Sequence, residues 1–206
     1  NTFLSSLHYY MSFCELDCAV FVSGNREGTA ITLFYKNTYS LSNSDYYNIK
    51  NVMTSGEIKR CESDECKNIR QIHGMQRMYV QNLIRTFDNE LDFVPVFECE
   101  NKRIQSILEI AVSKIGFKTG KKCVIFKINY EGTKITAESN GKHFSHGKLL
   151  EIVSHFVAEK GDFYLKNVSV NCGELWKLDA IILCFKLLEI LQNNKFTLNY
   201  FVAIIN

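Results

Sequence analysis

Residues 93–116 read FVPVFECENKRIQSILEIAVSKIG. The first seven form a strand pattern. After Glu100, Ile104, Ile107, Leu108, Ala111 and Ile115 recur at the i, i+3, i+4, i+7 spacing of one helix face. Asn101 suits the N-cap and Gly116 the C-terminal end. A strand running straight into an amphipathic helix sets the class of everything around it.

Downstream, 121–130 (KKCVIFKINY) and 133–139 (TKITAES) read as strands joined by the turn Glu131-Gly132. SNGK at 139–142 is the next turn. HFSHGKLLEIVSHFVA, 143–158, reads as one or two strands, and FYLKNVSV, 163–170, as another. NCGELWKLDAIILCF, 171–185, reads as a second helix capped at Asn171 or Cys172. KLLEILQ (186–192) and FTLNYFVAII (196–205) read as two strands around Asn193-Asn194. The order strand, helix, hairpin-rich sheet thus occurs twice. It predicts an α+β fold: a two-layer antiparallel sheet with helices on one face. The apolar end of the chain is then a strand paired inside that sheet.

Upstream, Leu4, Leu7 and Met11 put an apolar stripe on a helix over 2–13. Strands follow at 17–23 and 29–36, with GNREG (24–28) as the hairpin turn. A third strand is expected near 38–50 and an exposed loop over 54–68. A helix at 75–87 buries Val80, Leu83, Ile84 and Phe87. Arg77, Gln81 and Arg85 share another face at i, i+4, i+8. The acidic DNELD, 88–92, divides the chain into 1–92 and 93–206.

Charge is uneven. Residues 1–100 hold nine Lys+Arg against thirteen Asp+Glu, a balance of −4; residues 101–206 hold fifteen against nine, a balance of +6. The basic half can face a polyanion, although the surplus is modest and a solvated surface accounts for it more readily. No run reaches the ~18 apolar residues of a membrane span. Residue 1 is Asn, so a missing or processed start is expected.

The eight cysteines mostly lie in apolar patterns, as small buried hydrophobes do. Cys61 and Cys66, with His73 downstream, lack the tight paired spacing of a zinc site, so no metal is assigned. A reducing compartment is expected. The sequon at Asn167 falls in a predicted strand. There is no GxxxxGK loop and no evident nucleophile–base pair, so neither an enzyme nor a cofactor is expected. Trp176, the single tryptophan, is expected in the core.

The element order from residue 93 resembles one domain of the ring-shaped DNA sliding clamps, the family of PCNA and the checkpoint clamps. VPVFECENKRIQSILEI (94–110) is similar to the strand and helix that open the second clamp domain, CVIFKINYEGTKITAESNGKHFS (123–145) to the meander after it, and LNYFVAII (198–205) to the closing strand. DNELDF (88–93) stands where the interdomain connector would be. The first half fits less well, as an incomplete or divergent first domain.

The resemblance implies a nuclear scaffold of checkpoint or repair type. It would encircle double-stranded DNA, join homologous clamp subunits edge to edge, and dock repair or signalling enzymes. Phosphate attraction in the hole would be weak and sequence-blind. The residues it places facing DNA are Arg77, Gln81, Arg85, Lys102, Arg103, Ser106 and Lys114, with Glu109 and Ser113 beside them. Helix 171–185, with Glu174, Lys177 and Asp179, does not continue that lining. By position, Leu91, Asp92, Phe93 and Val94 would meet partners.

Two rivals stand beside this reading. LEIAVSKIGF and ITAESNGKHF are similar in spacing to the nucleotide motifs of the GHKL-type, mismatch-repair and gyrase ATPases. Glu109 matches the base there, but Ser113 and Ser139 replace the Mg²⁺-holding Asn and the adenine-reading Asp, so such a relative would be degenerate. The other rival is an interaction module with no DNA role.

Overall fold

The computed structural model describes residues 2–25, 28–35, 41–56, 62, 71–118, 122–160, 174–194 and 198. They form a mixed α/β structure with two sheets and six α-helices.

The stretch at 93–116 folds as its pattern dictates. β3 (Val94–Cys99) leads into α4 (Lys102–Ile115). Asn101 Oδ1 accepts from the Arg103 N–H at 3.1 Å and its Nδ2 donates to the Tyr130 carbonyl at 2.9 Å. Ile104, Ile107, Leu108, Ala111 and Val112 are buried, the stripe that the spacing requires. β4 (Lys122–Ile128), β5 (Ile135–Ser139) and β6 (Lys142–Phe144) then run as an antiparallel meander. Asn140 and Gly141, both at positive φ, make the tight turn between β5 and β6.

The sheet order is β3-β4-β5-β6, and β3 pairs with β4 in parallel, from Pro95↔Val124 to Cys99↔Ile128. The sheet is therefore mixed, not antiparallel throughout. A helix separates these two strands, and a crossover helix returns the chain in the same direction.

Further corrections share one cause: helical packing overrides short apolar runs that also suit strands. The strand expected near 38–50 is α2 (Asn43–Ser55) over its described part. Ser42 and Asp45 form a reciprocal capping box, and Gly56 ends the helix in the left-handed conformation. Thr54 and Ser55, assigned to a loop, close this helix. The strands expected over 143–158 are β6 followed by α5 (His146–Lys160). Leu149, Ile152 and Val153 fall at i, i+3, i+4 and are fully buried.

KLLEILQ is likewise helical. A 3₁₀ turn (Leu175–Lys177) precedes α6 (Ala180–Asn194), which runs through the expected strand and turn. α6 is apolar almost all round, with Ile181, Leu183, Cys184, Leu187 and Leu188 at zero exposure, as befits a helix enclosed in a core. The predicted strand at 163–170 lies outside the described residues. So does most of 196–205, and Leu198, the one described residue there, is helical and buried.

In the first half, β1 (Cys18–Asn25) and β2 (Gly28–Tyr35) form a separate two-stranded sheet; α1 (Leu4–Phe13) packs against β1 and against α3 (Met75–Ile84). One continuous core takes Phe3, Tyr9, Tyr79, Val80 and Leu83 together with Leu91, Ile104, Phe126, Leu149, Trp176 and α6. Packing therefore runs uninterrupted across residue 92. Trp176 lies in the core as expected. Cys14, Cys18, Cys99 and Cys184 are free thiols; Cys184 is buried but Cys18 is exposed.

Candidate nucleic-acid interface

The outward side of α4 follows from its inward one. With Ile104, Ile107, Leu108 and Ala111 committed to the core, Lys102, Arg103, Ser106, Glu109, Ile110, Ser113 and Lys114 are left in solvent. Lys102 to Lys114 spans about 18 Å along the helix axis. Three cations share this side with one carboxylate. Glu109 is held by Gln105, whose Nε2 donates to Oε1 at 2.7 Å. The Ser113 hydroxyl turns back to the Ile110 carbonyl at 2.9 Å. The row is positive but interrupted, which suits diffuse phosphate attraction and not a tight anion pocket.

α3 packs against α4, and its Tyr79, Val80 and Leu83 are buried. Arg77 and Gln81 are exposed on α3, and Arg85 is exposed at its C-cap. All seven residues expected to face DNA are thus in solvent, on two helices that touch.

The connector is different. Leu91 has zero exposure and Phe93 is buried. Leu91 N–H donates to the Gly116 carbonyl at 3.0 Å, and Lys118 N–H to the Leu91 carbonyl at 2.9 Å. Asp92 pairs with Lys118 at 3.1 Å, and its N–H donates to Gln192 Oε1 at 2.9 Å. Val94 is half-buried at the start of β3. The side chains of Leu91 and Phe93 are core anchors, so they offer no outer docking surface. These positions were carried over from the resemblance by position alone; in the fold Leu91 is tied inward to Gly116, and Phe93 joins the core.

Asp179, counted with Glu174 and Lys177 among the charges that break the basic lining, is a fully buried group at the start of α6. Its Oδ1 accepts from the N–H groups of Ile181 (2.9 Å) and Ile182 (3.2 Å), and Oδ2 accepts from the Tyr79 hydroxyl at 2.8 Å. Burial pushes its carboxyl up to about 6, against the pull of Tyr79 and the two N–H groups. Burial and the neighbouring carboxylate push the Tyr79 phenol well above its usual range. This pair fixes α3, and with it Arg77 and Gln81, against α6. An Asp just before an apolar run was the available cue, because that is an N-cap signature.

The residues carried over from the ATPase motifs are dispersed in environment. Glu109 lies on the solvent side of α4, whereas Ser139 is buried at the end of β5. Ile110 and Phe117, which no motif singled out, are exposed beside the basic row. No helix among the described residues is long and apolar enough to cross a membrane. No protein-family model matches this chain, and no curated protein matches it.

Proposed function

We propose that the chain is a non-catalytic, DNA-associated scaffold of the nucleus, a sliding-clamp-like subunit of checkpoint or repair type. In this reading its helices gather on one face of the sheet, and homologous subunits complete a ring around duplex DNA. The observation that carries it is the α4 side bearing Lys102, Arg103, Ser106 and Lys114 in solvent, with Arg77, Gln81 and Arg85 exposed on the adjoining α3. The β3-α4-β4-β5-β6 unit also has the strand–helix–meander order on which the resemblance rests. A sparse positive face gives weak, salt-dependent attraction to phosphates and no sequence preference. Repair or signalling enzymes would dock on the outer surface.

The test is binding of the full chain to closed circular and linear duplex DNA across a salt series, with mass photometry alone and with homologous subunits. A clamp subunit self-associates or joins its homologues and loses linear DNA by sliding off its ends. A strict monomer that ignores both DNA forms refutes the proposal.

A second reading, an interaction module with no DNA role, is favoured by Glu109 interrupting the basic row and by exposed Ile110 and Phe117 beside it. In that case removing Ile110 and Phe117 would abolish partner capture, while removing the cations would not.

A further inference from the structure

Among the described residues, β1 and β2 pair only with each other. Their register sets Cys18 opposite Tyr35, Val20 opposite Leu33 and Val22 opposite Ile31. Residues directly opposite in an antiparallel pair project from the same face. That face carries no charged residue, yet Val20, Val22, Ile31 and Tyr35 are 57%, 61%, 66% and 60% exposed. The other face is already docked: Phe34 is buried, edge-on to the ring of His8 of α1 at 5.3 Å. The ribbon therefore has one seated face and one bare apolar face.

α2 has the complementary defect. It is terminated at both ends by its own chemistry, the Ser42–Asp45 box and Gly56, but none of its residues is buried. Tyr46, Ile49 and Met53 recur at i, i+3, i+7, with Val52 beside them, and all four are exposed. A two-stranded ribbon needs a helix or further strands against its apolar face, and a short amphipathic helix needs a surface for its stripe.

The two lie close in sequence. Six residues separate Tyr35 from Ser42, enough for a reach of about 23 Å. A helix of 13 residues is about 20 Å long, and an eight-residue strand about 26 Å, so α2 fits within the length of the ribbon. Tethering this short gives an effective concentration in the millimolar range. We infer that α2 is a detachable strap that closes over the Val20, Val22, Ile31 and Tyr35 face of its own chain's ribbon. Closing buries two apolar stripes and no charged side chain from the ribbon; opening presents both.

Hydrogen exchange and isotope-filtered NMR on the full chain test this. Closure predicts contacts between the Tyr46 ring or Met53 methyl and the methyls of Val22 or Ile31, unchanged on tenfold dilution. Met53→Glu should speed exchange of the β1 and β2 amides at least tenfold and leave α4 and α6 amides unaffected. Val22→Thr, from the other side, should speed exchange of α2 amides. Asn51→Glu, on the opposite side of α2, should change neither. Unaltered ribbon exchange in Met53→Glu overturns the inference. So do contacts found only between differently labelled copies, which would assign the strap to a second chain.

Discussion

The Tyr79 hydroxyl donates to Asp179 Oδ2 at 2.8 Å across one hundred residues of sequence, and both side chains are fully buried. Removing either partner leaves the other without its bond in a medium that cannot replace it. Asp179→Ala also removes the cap on the Ile181 and Ile182 N–H groups. It should cost about 2–4 kcal/mol in urea unfolding. Tyr79→Phe, which leaves the cap intact, should cost about 1–2 kcal/mol. Equal stability of parent and Asp179→Ala would show that the pair does not tie α3 to α6.

The same carboxylate sets a pH dependence. Its folded value of about 6 lies above the ordinary 3.8, so its contribution is fully present below 3.8 and is lost as pH rises through 6. The loss is on the order of 3 kcal/mol. His8 acts in the opposite sense. Burial lowers it from 6.5 to about 4, so its contribution is present above 6.5 and is lost as pH falls through 4. The two slopes oppose one another between pH 4 and 6. Relative to the parent, Asp179→Asn should leave stability rising with pH across that interval, and His8→Phe should leave it falling. Chemical denaturation at half-unit pH steps reads both differences. Parallel profiles for all three proteins would contradict these assignments.

Gly132 is in the left-handed region, with φ +76°, where a Cβ would lie 2.5 Å from Ser5 Oγ and 3.0 Å from Ile104 Cδ1. Its carbonyl also accepts the Ala180 N–H at 2.9 Å, so the turn cannot shift freely. Gly141 has nearly the same φ, +75°, but open space around it. Gly132→Ala should therefore cost about 2–4 kcal/mol, against about 1 kcal/mol for Gly141→Ala. Thermal melts of the two variants separate steric crowding from backbone strain.

Replacing Lys102, Arg103 and Lys114 together by Ala should leave the melting temperature within 2 °C or so, because exposed charges contribute little to stability. If these cations meet duplex phosphates, affinity should fall at all sequences alike, and the slope of log K against log salt should shrink by about 2.7. Fluorescence anisotropy at several salt concentrations measures it. An unchanged slope removes α4 from the interface.

How much of this was legible beforehand depended on whether local signals competed. At 93–116 the strand, cap, helical stripe and terminal glycine agree, and the fold follows them closely. The turn at Asn140-Gly141 was equally plain, because positive φ at both positions demands such residues. At 143–158 and 186–192 short apolar runs fitted either period, and only burial against β5 or within the core makes them helical. The exposed cations on α3 and α4 were readable from periodicity. The burial of Leu91, Phe93 and Asp179 was not, since it depends on segments distant in sequence: Leu91 is tied to Gly116, Asp179 to Tyr79, and Phe93 joins the common core.

By itself the sequence determined the two ends of α4 and the turn between β5 and β6, because capping groups and glycines act on their immediate neighbours. It determined which side of α4 faces solvent for the same reason, since one turn of helix fixes the next. Only the tertiary structure decided that β3 and β4 run in parallel, that α6 is enclosed, and that a carboxylate sits beneath α3. Those outcomes depend on contacts between segments far apart along the chain, and the free energy of burying them is not written in any one segment.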